Sequence, residues 1–83
     1  VFAVRRLYRL SRVDQSGNVL YEIGSTDKAL AMQVRLAQLG FDHDTIVNLF
    51  VLAQGASFAC AQTPQACGEP FIVLMAIEPL PEG

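Results

Sequence analysis

Val4-Arg-Arg-Leu-Tyr-Arg-Leu-Ser-Arg-Val-Asp-Gln-Ser-Gly-Asn-Val-Leu-Tyr-Glu-Ile-Gly-Ser-Thr26 is the stretch on which the fold turns. Two strand-like runs, Val4–Val13 and Val19–Gly24, flank Asp14-Gln-Ser-Gly-Asn18. Gly17 stands where a hairpin loop needs a residue of positive φ, which glycine adopts without a Cβ clash. Asp14 carries a carboxylate able to bond its own backbone two residues on. The pattern predicts a β-hairpin that feeds a helix opened by Ser25-Thr26-Asp27.

Along the first strand Tyr8 and Leu10 share a face with Arg6 and Arg12, while Leu7 and Val13 share the other with Arg9. A rival reading as an amphipathic basic helix has Ala3, Val4, Leu7, Tyr8, Leu10 and Ser11 opposite Arg5, Arg9 and Arg12. The strand is preferred because the Asp-x-x-Gly loop and the Val19–Ile23 run need a pairing partner. On the second strand Val19, Tyr21 and Ile23 are expected on one half-buried face.

A helix is predicted from about Asp27 to Leu39, with Ser25 or Thr26 as N-cap and Asp27 at the positive end of the dipole. Ala29, Leu30, Met32, Val34, Leu36, Ala37 and Leu39 form a wide apolar arc, and Lys28, Arg35 and Gln38 fill the rest. Gly40 suits the left-handed residue after the helix, letting Phe41 fold back onto the last turn. Ile46-Val-Asn-Leu-Phe-Val-Leu-Ala53 is short, β-branched and almost continuously apolar, as a buried central strand would be. Its alternative is a second helix capped by Asp44. Gln54–Pro70, with Gly55, Pro64, Gly68 and Pro70, reads as a long loop. Phe71–Ile77 is the last strand, stopped by Pro79-Leu-Pro81, and residues 79–83 read as a loose tail.

The expected fold is therefore α+β: a single domain over 1–83, a small antiparallel sheet in ββαββ order with one helix packed on one face. Its other face has nothing in the chain to cover it.

Composition points the same way. In 83 residues, 52% are hydrophobic and 17% charged against a usual ~25%. Surface scaling gives ~4,900 Å² exposed against ~13,000 Å² for the extended chain, too little interior for that much apolar side chain. Some of it is expected at an interface, with a protein partner or a second copy. Charge is divided unevenly. Arg5, Arg6, Arg9 and Arg12 give the first twelve residues four positive charges, while the remainder sets eight acids against Lys28 and Arg35. With a pI near 5.1 the chain lacks the net basic balance of a nucleic-acid binder, and its dipolar charge suits docking onto a complementary protein.

The longest apolar runs are far short of the ~20 residues that cross a bilayer. Arg5 and Arg6 lead into further arginines, not into the apolar core of a secretory leader, so the expected compartment is the cytoplasm.

Cys60 and Cys67 enclose six residues of the predicted loop, so a Cys60–Cys67 disulfide is one reading and free thiols the other. A metal centre would need four ligands, and only His43 with Asp42 or Asp44 stands as a complement. Asp42-His43-Asp44 carries the only histidine and reads more simply as a polar connection than as a general base. No catalytic residue, metal or cofactor is assigned.

One family resemblance is carried by Leu7-Tyr8-Arg9-Leu10, ten residues, then Tyr21-Glu22-Ile23-Gly24-Ser25-Thr26 and a helix. The arrangement resembles the opening of a GIY-YIG nuclease domain over the first 40 residues. It departs where no glycine precedes Tyr8 and where Glu22 interrupts the Tyr-Ile-Gly triplet. The resemblance would make Tyr8 and Tyr21 the motif tyrosines and Arg35 the helix arginine.

The arginine strand has three readings: a charged edge that blocks strand-to-strand aggregation, a docking surface for an acidic protein, or a nucleic-acid contact. The reading adopted is a small non-enzymatic protein-binding module, an inhibitor or adaptor of the kind phages and mobile elements encode, with homodimerisation as a companion expectation. The candidate partner-binding residues are Arg5, Arg6, Arg9 and Arg12 on one edge, with Phe50, Leu52, Phe71, Val73 and Met75 as apolar contacts.

Overall fold

A computed structural model describes residues 5–64 and 68–80. The chain runs β1 (Arg6–Val13), β2 (Val19–Thr26), α1 (Ala29–Gln38), α2 (His43–Ala56), β3 (Phe58–Gln62) and β4 (Ile72–Pro79). The strands form one antiparallel sheet in the order β2-β1-β4-β3. The α+β class stands, with ββααββ order and α2 packed on the sheet.

The β1–β2 hairpin forms as its loop chemistry requires. Gly17 takes φ +88°, its amide donating to the Asp14 carbonyl at 3.0 Å. Asp14 Oδ1 accepts from the amides of Ser16 and Asn18, each at 2.9 Å. The two register shifts between β1 and β2 leave Ile23 and Leu20 as extra residues on β2. These bulges break the simple alternation expected there. Val19 and Tyr21 are exposed, and Ile23 alone packs on the core.

α1 starts two residues later than expected. Lys28 is its N-cap residue, and the Thr26 hydroxyl accepts from the Lys28 amide at 3.1 Å, so Asp27 lies outside the first turn. Its end matches the sequence. Gly40, at φ +96°, donates to the Ala37 carbonyl at 3.0 Å, and Phe41 donates to Leu36 at 3.3 Å. This pair of bonds is a Schellman motif, and it carries Phe41 into the core beside Leu36.

The segment Ile46–Ala53 is helical and not a strand. Asp42 caps α2, its Oδ1 accepting from the Thr45 amide at 2.9 Å. Ile46, Leu49, Phe50 and Ala53 are buried, the i, i+3, i+4, i+7 spacing of one helical face. Gln54–Pro70 is likewise not one long loop: Gln54–Ala56 complete α2, and β3 pairs with β4. Ser57 makes the turn between them in the left-handed region, at φ +74°.

Both helices lie on one side of the sheet, since a single cluster joins Met32 and Leu36 of α1, the buried face of α2, Tyr8 and Leu10 of β1, Ala59 of β3, and Val73, Met75 and Ile77 of β4. β1 and β4 are the two central strands. Arg6 is opposite Pro79, and the Leu80 amide donates to the Arg5 carbonyl at 2.8 Å. The tail therefore begins tied, and 81–83 lie outside the described residues.

Candidate protein-docking surface

The arginine strand is not an edge. β1 lies between β2 and β4, and its arginines meet different fates because alternate residues leave opposite faces. Arg9 emerges on the face away from the helices. Its Nη1 donates to Glu78 Oε1 at 3.1 Å on β4, and its Nε lies 3.1 Å from Glu22 Oε1 on β2. The Nε–H is not aimed at that oxygen and has no hydrogen-bond acceptor among the described residues, so the Glu22 contact is coulombic. Arg12, at the end of the core-side face, lies 4.6 Å from the Phe71 ring centre and 6.0 Å from that of Tyr21. Both cations are thus committed within the domain.

Arg5 and Arg6 point to another neighbourhood, the start of α1. Arg5 Nη2 donates to Asp27 Oδ2 at 3.1 Å across 62% and 35% exposed side chains. That hydrogen bond, reinforced by the charge of Lys28, holds the Asp27 carboxyl below its usual range. Arg6, Lys28 and Arg35 make no ion pair among the described residues, and Arg35 donates only to Gln38 Oε1, at 3.4 Å. Two adjoining depressions share Lys28 and Leu30. One is lined by Arg5, Arg6, Tyr8, Asp27 and Ala29 as well, and the other, of ≈ 640 Å³, by Ala31, Val34, Arg35 and Gln38. Four of the chain's six cations therefore surround one face of α1, against a single acid.

That face is apolar. Leu30 is 71% and Val34 51% exposed, one helical turn apart, because α1 buries only Met32 and Leu36. The other large exposed apolar side chains among the described residues are Val19, Leu20 and Tyr21 on β2, Val47, Val51 and Leu52 on α2, and Phe58 on β3. The sequence-based expectation of exposed apolar side chain is met, but mostly at other residues. Val73 and Met75 are fully buried, and Phe50 is buried with its ring 5.5 Å from that of Tyr8. All three face α2 or the sheet beneath it and are core. Phe71 is half-buried under Arg12, and Leu52 is the one of the five that is freely exposed. Leu30 and Val34 were legible in the sequence as part of an arc too wide for one helix to bury.

The side of the sheet away from the helices is packed by no helix, and its exposure is uneven: Ser11 and Val13 are buried, Leu7, Ile72, Leu74 and Ala76 half-buried, and Phe58 exposed. By register it presents Leu7, Arg9 and Val13 of β1, Ile72, Leu74 and Ala76 of β4, and Phe58 and Cys60 of β3. Cys60 is exposed there, and its pairing with Cys67 falls outside the described residues.

Comparison with protein-family models, with curated proteins and with solved structures gives no match. The site must be judged on its own chemistry. Tyr8, which the GIY-YIG resemblance would place in an active site, is buried against Phe50. Tyr21 pairs with Arg12, four positions along β1 from Tyr8, or about 13 Å of strand. Arg35 lies near Gly24 on a third element, so the three residues do not converge. His43 occupies the first turn of α2 beside its cap, where Asp42 is held below its usual range by hydrogen bonds from Thr45. Among the described residues no group of three potential metal ligands comes together, and no helix is long and apolar enough to cross a membrane.

Proposed function

We propose that this protein acts by binding another protein, and that the exposed face of α1 is the docking surface. The observation that carries the reading is the Leu30–Val34 stripe, apolar and uncovered, with Arg5, Arg6, Lys28 and Arg35 around it. Isolated exposed apolar residues are ordinary, but a contiguous patch rimmed by polar groups marks interaction sites. The rim supplies orientation and encounter rate, and the apolar stripe supplies affinity. The role proposed for it is that of an inhibitor or adaptor of a larger protein.

The test is affinity capture of tagged protein from a lysate of its own source after nuclease treatment, run beside a Leu30→Gln/Val34→Gln variant. A stoichiometric protein that survives nuclease and is lost with the variant supports the reading. A partner retained by the variant, or recovery of nucleic acid alone, refutes it.

Self-association is a second reading, favoured by exposed Phe58 beside half-buried Leu7 and Leu74 on the sheet face away from the helices. Its readout is the mass in solution by sedimentation equilibrium, and a monomer at high micromolar concentration would end it.

A further inference from the structure

Resting on the docking reading above, we infer that the partner of the α1 face is an acidic amphipathic helix. The stripe and its rim together define this occupant. Leu30 and Val34, one turn apart, offer an apolar strip along the open outer side of α1. A helix laid against it meets it with apolar side chains spaced i, i+3 or i+4, the ridge-into-groove contact by which two helices pack.

Charge decides the sign of the partner. With Arg5, Arg6, Lys28 and Arg35 set against Asp27, this neighbourhood carries three net positive charges in a chain whose total is −2, which leaves −5 for the rest. An anionic bilayer or nucleic-acid backbone is extended, and it would bring the acidic remainder of the domain close to its own charge. A short acidic helix engages the positive face alone. Arg6, Lys28 and Arg35 have no acidic partner among the described residues, so none must break an internal ion pair to receive one. Arg5 is already engaged by Asp27 at 3.1 Å, and that pair marks the kind of carboxylate contact the other three are free to make.

The test is selection of peptides from a randomised 16-residue phage-displayed library on the immobilised protein, followed by affinity measurement with synthetic copies. Enriched peptides are expected to carry apolar residues at i and i+3 or i+4 with Asp and Glu beside them. Their binding should weaken about tenfold or more with Leu30→Gln/Val34→Gln, and with Lys28→Glu/Arg35→Glu. It should also weaken as salt rises. All four positions are exposed, so the variants keep the fold, and circular dichroism checks this. Enrichment without acidic bias, peptides that bind both variants as tightly as the parent, or no enrichment at all would overturn the inference. So would binding to phosphatidylserine-containing vesicles through the same residues in the absence of peptide binding, which would assign the face to a membrane. If a captured lysate protein still depends on Leu30 and Val34 while the peptides show no acidic preference, the partner chemistry fails and the docking surface stands.

Discussion

The guanidinium carbon of Arg12 lies 4.6 Å from the centre of the Phe71 ring, and Tyr21, on the strand at the other side of β1, lies 6.0 Å away. Tyr21 Oη also accepts from Arg12 Nη1, at 3.5 Å. A half-buried cation over an aromatic face is worth about 1 kcal/mol. Arg12→Ala should therefore lower the unfolding free energy in urea by about that amount. Arg6→Ala, at an exposed site with no ion-pair partner among the described residues, should stay within about 0.5 kcal/mol.

The core assignment separates residues that look alike in the sequence. Leu36→Ala and Met75→Ala each empty a fully buried site and should cost about 2–5 kcal/mol. For a domain this small that is a large share of a total stability of about 5 kcal/mol or somewhat more. Leu52→Ala, at 60% exposure, should change it by no more than about 0.5 kcal/mol. Equilibrium urea curves on the three variants check the order.

Ser57 ends α2 with φ +74°, a conformation that crowds any Cβ. Ser57→Gly removes the crowding at the position where glycine is most favoured after a helix. The variant should be more stable by about 0.5–1 kcal/mol, read as a higher melting temperature. A lower one would mean that the serine side chain contributes more than its backbone strain costs.

Acid should weaken the fold through three loop and cap carboxylates. Asp14, Asp27 and Asp42 are all held below their ordinary value of 3.8, chiefly by hydrogen bonds from Asn18, Arg5 and Thr45 in turn. A depressed carboxylate stabilises fully above its unfolded value and loses that contribution as pH falls through the folded one. The melting temperature should hold above about pH 5 and decline below about pH 4. Asp42→Asn keeps an acceptor for the Thr45 amide and should reduce the slope of this decline, whereas Asp42→Ala should lower the melting temperature at every pH.

The hairpin and the end of α1 could be read from the sequence because each depends on a local residue with one structural use: Gly17 in its loop, and Gly40 before Phe41. The segment Ile46–Ala53 misleads for a physical reason. Its buried residues keep helical spacing, but Val47, Val51 and Leu52 on the exposed side fill the gaps and make the run look apolar throughout. β3 is nearly invisible because Phe-Ala-Cys-Ala-Gln has little β-branched or aromatic content, and pairing with β4 imposes its conformation. The pairing of β4 with β1, on the side opposite β2, places β1 inside the sheet. Strand order is a long-range property that no pattern within Arg5–Arg12 records, which is why the division of the arginines between internal contacts and the α1 face appears only in three dimensions.

Because β1 and β4 are neighbouring antiparallel strands, with Arg6 across from Pro79, the start of one and the end of the other stand about 5 Å apart. A module with that geometry can be spliced into a surface loop of a host protein without prying the host's loop ends apart. Arg5 and Leu80, hydrogen-bonded at 2.8 Å, can equally be joined by a short bridge and the chain reopened at Gln15–Ser16, which would turn the hairpin loop into a new pair of termini and leave the sheet order unchanged.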